Sequence, residues 1–165
     1  MDYSKVVYFS NKYVDFSQHY KDKLLKFLDI SFKLPTYELH DFTIISGFLL
    51  NNEIIATISL LKYDDLKDVL NNNNNHKMIG YSSKGENGLF VYNVVVKDEF
   101  KRKRLAEVLL NLCIRDNEDI KYLHAQVKRT NEPSFNLFLK CGFQIENEML
   151  DGDNSSVCVL SRDIN

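Results

Sequence analysis

The sequence predicts a single α/β domain, and three observations support this fold class. The chain has 165 residues, about the length of one domain. Hydrophobic residues make up 44% of the chain and charged residues 27%, so there is material for one core, and a disordered chain is excluded. Segments with strand composition occur among segments with helical periodicity. We therefore expect one domain over residues 1–165.

In the first half of the chain, the pattern predicts a strand, a helix and a hairpin. Residues 3–9 have the composition of a short strand, and an apolar stripe predicts a helix over residues 16–30. Two further strands are expected over residues 43–50 and 53–61. Asn51 and Asn52 between them indicate a tight turn, because asparagine tolerates the left-handed backbone that short hairpins need.

Residues 63–88 are too polar to join a core. Five asparagines stand in a row at positions 71–75. Neither flank would make a complete core alone, so we expect an Asn-rich insertion between two strands of one sheet rather than a linker between domains.

The second half repeats the alternation of strands and helices. Pro133 in a first turn and Gly142 just past a last turn are typical of the two ends of a helix. The predicted strands cover residues 89–96, 121–127, 143–149 and 157–161, and the predicted helices cover residues 104–116 and 131–141.

Composition excludes several classes of function. The 21 basic and 23 acidic residues nearly cancel, whereas a protein that coats nucleic acid would show a basic excess. No apolar run approaches the length of a membrane span, and the first residues lack a signal-peptide pattern, so we expect a cytoplasmic protein without membrane contact. Three widely spaced cysteines predict reduced thiols and no metal site.

A basic cluster, Lys101 to Arg104, follows the predicted strand at residues 89–96 and precedes a helix. Unpaired N–H groups and the positive dipole end make a helix N-terminus suitable for a phosphate. Four cations there are unfavourable unless an anion binds. The pattern therefore predicts an anion site, with a solvated basic surface as the alternative.

Two motifs resemble the GNAT acetyltransferase superfamily. Residues 94–106 are similar to its acetyl-CoA motif, Gln/Arg-x-x-Gly-x-Gly/Ala after a strand, with Arg104 where glycine is usual. Residues 131–143 resemble its Asn-x-x-Ala-x-x-Leu-Tyr-x-Lys-x-Gly-Phe ending. The resemblance covers about residues 6–159 and leaves the Asn-rich insertion unmatched.

The resemblance implies a mixed, mostly antiparallel sheet with flanking helices, in which two splayed parallel strands form the acetyl-CoA cleft. It implies acetyl-CoA as co-substrate and no metal. Backbone N–H groups near residues 94–96 would hold the pantetheine and polarise the thioester carbonyl. The implied cofactor-binding residues are Val94, Val95, Val96, Lys101, Arg102, Lys103, Arg104, Leu105, Ala106, Asn131, Ser134 and Phe138.

The candidate catalytic residues are His124 and Tyr92. Residues 122–126, followed by Asn-Glu-x-Ser, closely resemble the catalytic subunits of the E-type protein N-terminal acetyltransferases, in which this histidine is catalytic. An imidazole can accept a proton at neutral pH, directly or through water. The E-type enzymes also have a catalytic tyrosine. Tyr92 is the tyrosine nearest to that position on the strand, and a bulge would bring it into place. Phe138 replaces the family's usual tyrosine acid and cannot donate a proton.

The predicted acceptor is a protein N-terminus. Residues 32–37 form an apolar loop, where a polar one is the default, and the E-type enzymes have a similar loop that cradles the substrate. Packing of this loop on the core is the alternative. The expected substrate-binding residues here are Phe32, Leu34, Pro35, Tyr37 and Val91.

Other acceptors and other functions stay open. Acetyltransferases that act on small amines such as glucosamine-6-phosphate share similar stretches, and Lys128 and Arg129 would then bind the phosphate. A non-catalytic module that binds coenzyme A, or acidic partners, is a second alternative. The expected partners are acetyl-CoA and an amine acceptor, not nucleic acid, with a homodimer or an auxiliary subunit open.

Overall fold

The computed structural model describes residues 3–32, 39, 41, 43–62, 88–117, 119–150 and 154–164. In this part of the chain, three helices accompany a sheet of seven strands. The helices are α1 Gln18–Phe32, α2 Leu105–Arg115 and α3 Glu132–Lys140. The strands are β1 Val6–Lys12, β2 Ile44–Leu50, β3 Glu53–Lys62, β4 Gly88–Val96, β5 Tyr122–Lys128, β6 Gln144–Leu150 and β7 Ser156–Asp163.

The sheet is mixed, and its strand order is β1-β2-β3-β4-β5-β7-β6. β2 pairs antiparallel with β1 and β3, and β7 pairs antiparallel with β5 and β6. β4 and β5 are parallel, with a ladder from Gly88 opposite Tyr122 to Val91 opposite Ala125. β4 continues to Val96 and β5 to Lys128. The predicted mixed sheet with one parallel pair is confirmed.

Two boundary differences have a local cause. Residues 3–5 form a turn of 3₁₀ helix, so the first strand begins at Val6 rather than Tyr3. α1 begins at Gln18, because the Ser17 carbonyl and hydroxyl oxygens both accept from the Tyr20 N–H, at 3.0 and 3.4 Å. The predicted hairpin turn is confirmed, with φ values of 51° at Asn51 and 64° at Asn52.

The Asn-rich insertion lies outside the described residues, except that Gly88 is the first residue of β4. The described chain divides into two compact units. The first contains the described residues up to Leu60 together with Tyr92–Cys113. The second contains Leu61, Lys62, residues 88–91 and the described residues from Ile114 onward. The expectation of one domain over residues 1–165 stays a prediction.

The core of the first unit lies between α1 and the antiparallel strands. Leu24 of α1 packs with Ile45 and Ile54, and aromatic side chains surround this cluster. Phe16 and Tyr20 stack with ring centroids 4.9 Å apart. α1 takes this place because its apolar side chains recur at helical spacing along one face.

Candidate acetyl-CoA site

The end of β4 in the first unit alternates between buried and half-buried side chains. Asn93 and Val95 are buried, whereas Val94 and Val96 are half-buried. The Ser59 hydroxyl donates to the Asn93 Oδ1 at 3.2 Å. The Lys97 N–H donates to the Ile55 carbonyl at 2.9 Å, which holds the strand end against β3. These hydrogen bonds fix the position of the end of β4, from which the chain continues to the basic residues Lys101 to Arg104.

The four basic residues, Lys101 to Arg104, come before α2 rather than inside its first turn. A 3₁₀ turn over Asp98–Phe100 precedes them, and α2 begins at Leu105, one residue later than predicted. Arg104 is the residue before the helix, and its carbonyl accepts from the Val108 N–H at 3.0 Å. The dipole of α2 consequently points its positive end at this loop.

The backbone of the basic loop is left-handed at two arginines, with φ of 59° at Arg102 and 60° at Arg104. Each such conformation costs a non-glycine residue about 1 kcal/mol. Within the described residues, the N–H groups of Arg102, Lys103, Leu105 and Ala106 have no protein acceptor. Successive free N–H groups in such a loop form a concave anion site. Arg104 thus adopts a backbone that glycine usually provides, while its side chain differs.

The charges of the basic loop are partly offset by its own neighbours. Lys101 Nζ lies 2.6 Å from Asp98 Oδ1, and Lys103 Nζ lies 5.0 Å from the centroid of the Phe100 ring. The Arg104 guanidinium donates two hydrogen bonds to the Glu107 carboxylate, at 3.1 and 2.6 Å, and this pairing raises the pKa of Arg104.

Two of the four cations therefore have local acidic partners, and the expected anion site stays a prediction. Within the part of the chain that is described, the exposed Arg102 guanidinium has no ion pair. It is the cation of this loop that is available without breaking an existing contact.

His124 lies in the second unit, in the middle of β5. It is 4% exposed, and it stands opposite Phe90 in β4 and Ser161 in β7. A Cβ placed on Gly88 would lie 2.9 Å from both Cδ2 and Nε2 of His124, so the imidazole lies directly against the main chain of β4. The four pairs of the β4–β5 ladder have a continuous register, so the bulge expected near Tyr92 does not lie within them. Tyr92 is the next residue of β4 after this ladder. It belongs to the first unit and is half-buried.

α3 begins at Glu132, one residue later than predicted, because Asn131 is its N-cap. The Asn131 side chain accepts from the Ser134 N–H at 3.4 Å, and Pro133 lies in the first turn. The end of α3 is closed by Gly142 at φ 83°, whose N–H donates to the Leu139 carbonyl at 3.0 Å.

The Phe143 N–H donates to the Phe138 carbonyl at 3.0 Å, which completes a Schellman motif. Phe138 is 4% exposed, and its ring centroid lies 4.9 Å from that of Phe143. The structure thus gives Phe138 a packing role at the helix end, and its predicted contact with the cofactor stays a prediction.

The residues predicted for the acceptor are only partly described. Leu34, Pro35 and Tyr37 lie outside the described residues, as does the side chain of Phe32, the last residue of α1. Val91 is buried at the last pair of the β4–β5 ladder.

The basic pair Lys128 and Arg129 lies at the end of β5. The Arg129 guanidinium lies 4.4 Å from the centroid of the Phe135 ring, and its Nη1 lies 3.7 Å from Cys158 Sγ. Lys128 is exposed at the end of β5.

Sequence reasoning missed three residues of these segments. Asp98 and Glu107 each stand three residues from the cation they bind, and that spacing could have identified them. Gly88 has no local signal, because its contact with His124 depends on the register of the parallel strands.

The described residues offer neither a metal-binding cluster nor a membrane-spanning helix. Among them, no group of three or more histidine, cysteine, aspartate or glutamate side chains could hold a metal ion. No helix in the same part of the chain is long and apolar enough to cross a membrane.

Solved structures share the fold at low sequence identity. A GNAT-family acetyltransferase from Streptococcus pneumoniae is 14% identical, with a TM-score of 0.68 over 96% of this chain and 100% of that one. The ribosomal-protein-S18-alanine N-acetyltransferase from Escherichia coli is 12% identical, with a TM-score of 0.66 over 96% and 95%. A protein from Bacillus anthracis assigned as a streptothricin acetyltransferase, in complex with acetyl coenzyme A, is 16% identical, with a TM-score of 0.56 over 74% and 63%.

Comparison with protein families gives a direct assignment. No curated protein sequence matches the chain. The model of the acetyltransferase (GNAT) family matches residues 9–143, which is most of the 165 residues and includes both sequence motifs. The mixed sheet, its parallel pair and this match agree, and the chain therefore belongs to the GNAT family of acetyltransferases.

Proposed function

We propose that this acetyltransferase moves the acetyl group of acetyl-CoA directly to a protein N-terminus in a ternary complex. The observation that carries the proposal is the loop before α2. Its left-handed backbone at Arg102 and Arg104 and its N–H groups without protein acceptors suit a pyrophosphate. The arginines keep this backbone despite the strain, which fits a loop shaped for a ligand.

Acetyl-CoA would supply an activated thioester, and the chain would bind and orient it. The N–H groups from Arg102 to Ala106 would hold the pyrophosphate, with Arg102 adding charge. The half-buried side of β4 at Val94 and Val96 would support the pantetheine. Asn131 and Ser134 at the start of α3, with Phe138, are proposed for the rest of the cofactor. No metal is part of this proposal.

His124 is proposed as the group that takes the proton from the attacking amine. Because the side chain is 4% exposed, we propose that the proton reaches it through a water molecule. Tyr92 is the proposed second catalytic residue. Replacement of His124 by alanine should lower kcat roughly 100-fold or more and leave the affinity for coenzyme A unchanged. Full activity in that variant would show that the role of His124 is purely structural.

The acceptor is inferred from the E-type resemblance of residues 122–126 and of the apolar loop at residues 32–37. The structural similarity to the ribosomal-protein-S18-alanine N-acetyltransferase is compatible with this choice. The competing acceptor, a small amine such as glucosamine-6-phosphate, would use Lys128 and Arg129. Arg129 already contacts Phe135 and Cys158, which disfavours it. We place the activity in the cytoplasm.

The acceptor is tested by following thiol release from acetyl-CoA with a panel of amines. The panel contains peptides that begin with Met and an apolar residue, glucosamine-6-phosphate, polyamines and peptides with internal lysine. We expect the N-terminal peptides to react fastest at equal concentration. Turnover of glucosamine-6-phosphate without turnover of any peptide would establish the small-amine alternative.

Cofactor binding is tested separately by calorimetry. Coenzyme A should bind more tightly than its pantetheine fragment, and the difference should shrink with added salt, because the phosphates meet the basic loop. Equal affinity for the two would overturn the proposed use of that loop. Binding of acetyl-CoA without turnover of any amine would leave the non-catalytic module as the function.

A further inference from the structure

A close contact links the imidazole of His124 to the main chain of β4. Gly88 opens β4 and pairs with Tyr122, two residues before His124 in β5. A Cβ at Gly88 would lie 2.9 Å from Cδ2 and Nε2 of His124 and 3.4 Å from the Tyr122 carbonyl oxygen. The first two distances are shorter than real Cβ contacts allow, so the ring occupies the space that a side chain at position 88 would fill.

We infer that Gly88 is a positioning residue for His124, because its missing side chain sets where the imidazole lies. The inference rests on the proposed function for its catalytic meaning, although the contact itself does not depend on it. Both residues belong to the second unit. Glycine at the start of β4 thus leaves room for the imidazole of His124, which lies two pairs further along the ladder.

The physical reason is the difference in stiffness between the two partners. The backbone at Gly88 is held by the parallel ladder with β5, and β5 is paired along its length with β7. The imidazole is the end of a side chain with only two torsions, and buried side chains occupy defined rotamers. An added methyl group should therefore move the ring rather than the strand, and the ring would leave its present rotamer.

The test compares Gly88→Ala with a matched control, Gly142→Ala. Gly142 also lies in the second unit, and the atoms nearest to a Cβ there would be those of Arg162, at 3.7 Å or more. The control adds the same methyl group and strains a positive φ, but it does not contact His124. The chain has four histidines, so the ring signal of His124 is assigned in NMR spectra from its loss in His124→Ala.

In Gly88→Ala, the Cδ2–H signal of His124 should shift, and kcat for the best acceptor should fall roughly 10-fold or more. The KM for acetyl-CoA should stay within about twofold, because only a step that uses His124 is affected. Gly142→Ala should leave both the signal and kcat unchanged. Double replacement of Gly88 and His124 by alanine should be no less stable to heat than His124→Ala, because the contact is gone.

The outcomes separate this inference from the proposed function. A shifted His124 signal in a protein that acetylates no amine supports the positioning contact while the proposed function fails. An unshifted signal in Gly88→Ala overturns the inference whether or not the protein is active. A shifted signal with unchanged kcat in an active enzyme also overturns it, because the ring position would then have no catalytic consequence.

Discussion

The loop before α2 and the end of α3 both place residues in left-handed backbone, but they do so in opposite ways. At the end of α3, Gly142 adopts φ 83°, and the N–H groups of Gly142 and Phe143 donate to carbonyl oxygens of the last turn. Before α2, Arg102 and Arg104 adopt φ near 60°, and neighbouring N–H groups have no acceptor among the described residues.

The difference separates a helix terminus that satisfies its own hydrogen bonds from one whose N–H groups stay without acceptors. The end of α3 uses a residue without a Cβ, satisfies its own hydrogen bonds and adds an apolar contact, so it stabilises the fold by itself. The loop before α2 uses residues that are strained in this conformation and leaves donors free. Arginine in left-handed backbone carries a strain that glycine would not, and together with the free donors this fits a ligand site.

The largest effect is expected at the end of α3. Replacement of Phe138 by alanine should lower the free energy of unfolding by about 3 kcal/mol or more, because a buried aromatic side chain and its contact with Phe143 are lost. Leu139→Ala, one residue along and 40% exposed, is the control and should cost less than about 1 kcal/mol. Chemical denaturation measures both, and equal losses would contradict the packing role of Phe138.

The second effect concerns binding instead of stability. Arg102→Glu should weaken coenzyme A binding roughly 10-fold, about 1.4 kcal/mol, because it reverses the unpaired charge of the loop. The free energy of unfolding should change little, since Arg102 is exposed. Calorimetry measures the affinity, with Lys26→Glu in α1 as a control of equal charge change. An equal loss of affinity in both variants would mean that the net charge of the protein, and not the basic loop, sets the affinity for coenzyme A.

A smaller effect should follow from adding one methyl group at the end of α3. Gly142→Ala forces a side chain into left-handed backbone and should cost about 1 kcal/mol of stability. The apolar contact between Phe138 and Phe143 should persist, so the loss stays well below that of Phe138→Ala. Thermal and chemical denaturation measure it. No loss at all would mean that the helix end rearranges at no cost.

The smallest effect is expected from the reverse change before α2. Arg104→Gly removes the left-handed strain but also removes an exposed ion pair with Glu107 and adds the unfolded-state entropy of glycine. These contributions oppose one another, so stability should change by less than about 1 kcal/mol. Denaturation curves of the two proteins test this. A loss of about 2 kcal/mol would show that the Arg104 side chain stabilises the fold beyond its pair with Glu107.

Much of the architecture could be predicted because its signals are local. Asparagines at positions 51 and 52 indicate the hairpin turn, and Pro133 and Gly142 indicate the ends of α3, since each acts on backbone a few residues away. The α2 boundary was predicted to within one residue at either end. The basic loop before α2 is predicted as a cofactor site from its position after a strand and its resemblance to a family motif, and the family match includes it.

The order of the strands and helices can be predicted from the sequence alone, as can the closed end of α3 and the family, because their signals are residues near one another in the chain. The contact between Gly88 and His124 is visible only in the folded chain, since it requires two strands to pair in one register. The folded chain also shows that Arg104 has left-handed backbone and that its guanidinium pairs with Glu107. The path of the whole loop sets each backbone dihedral angle. The residue type determines only the conformational energy of that angle.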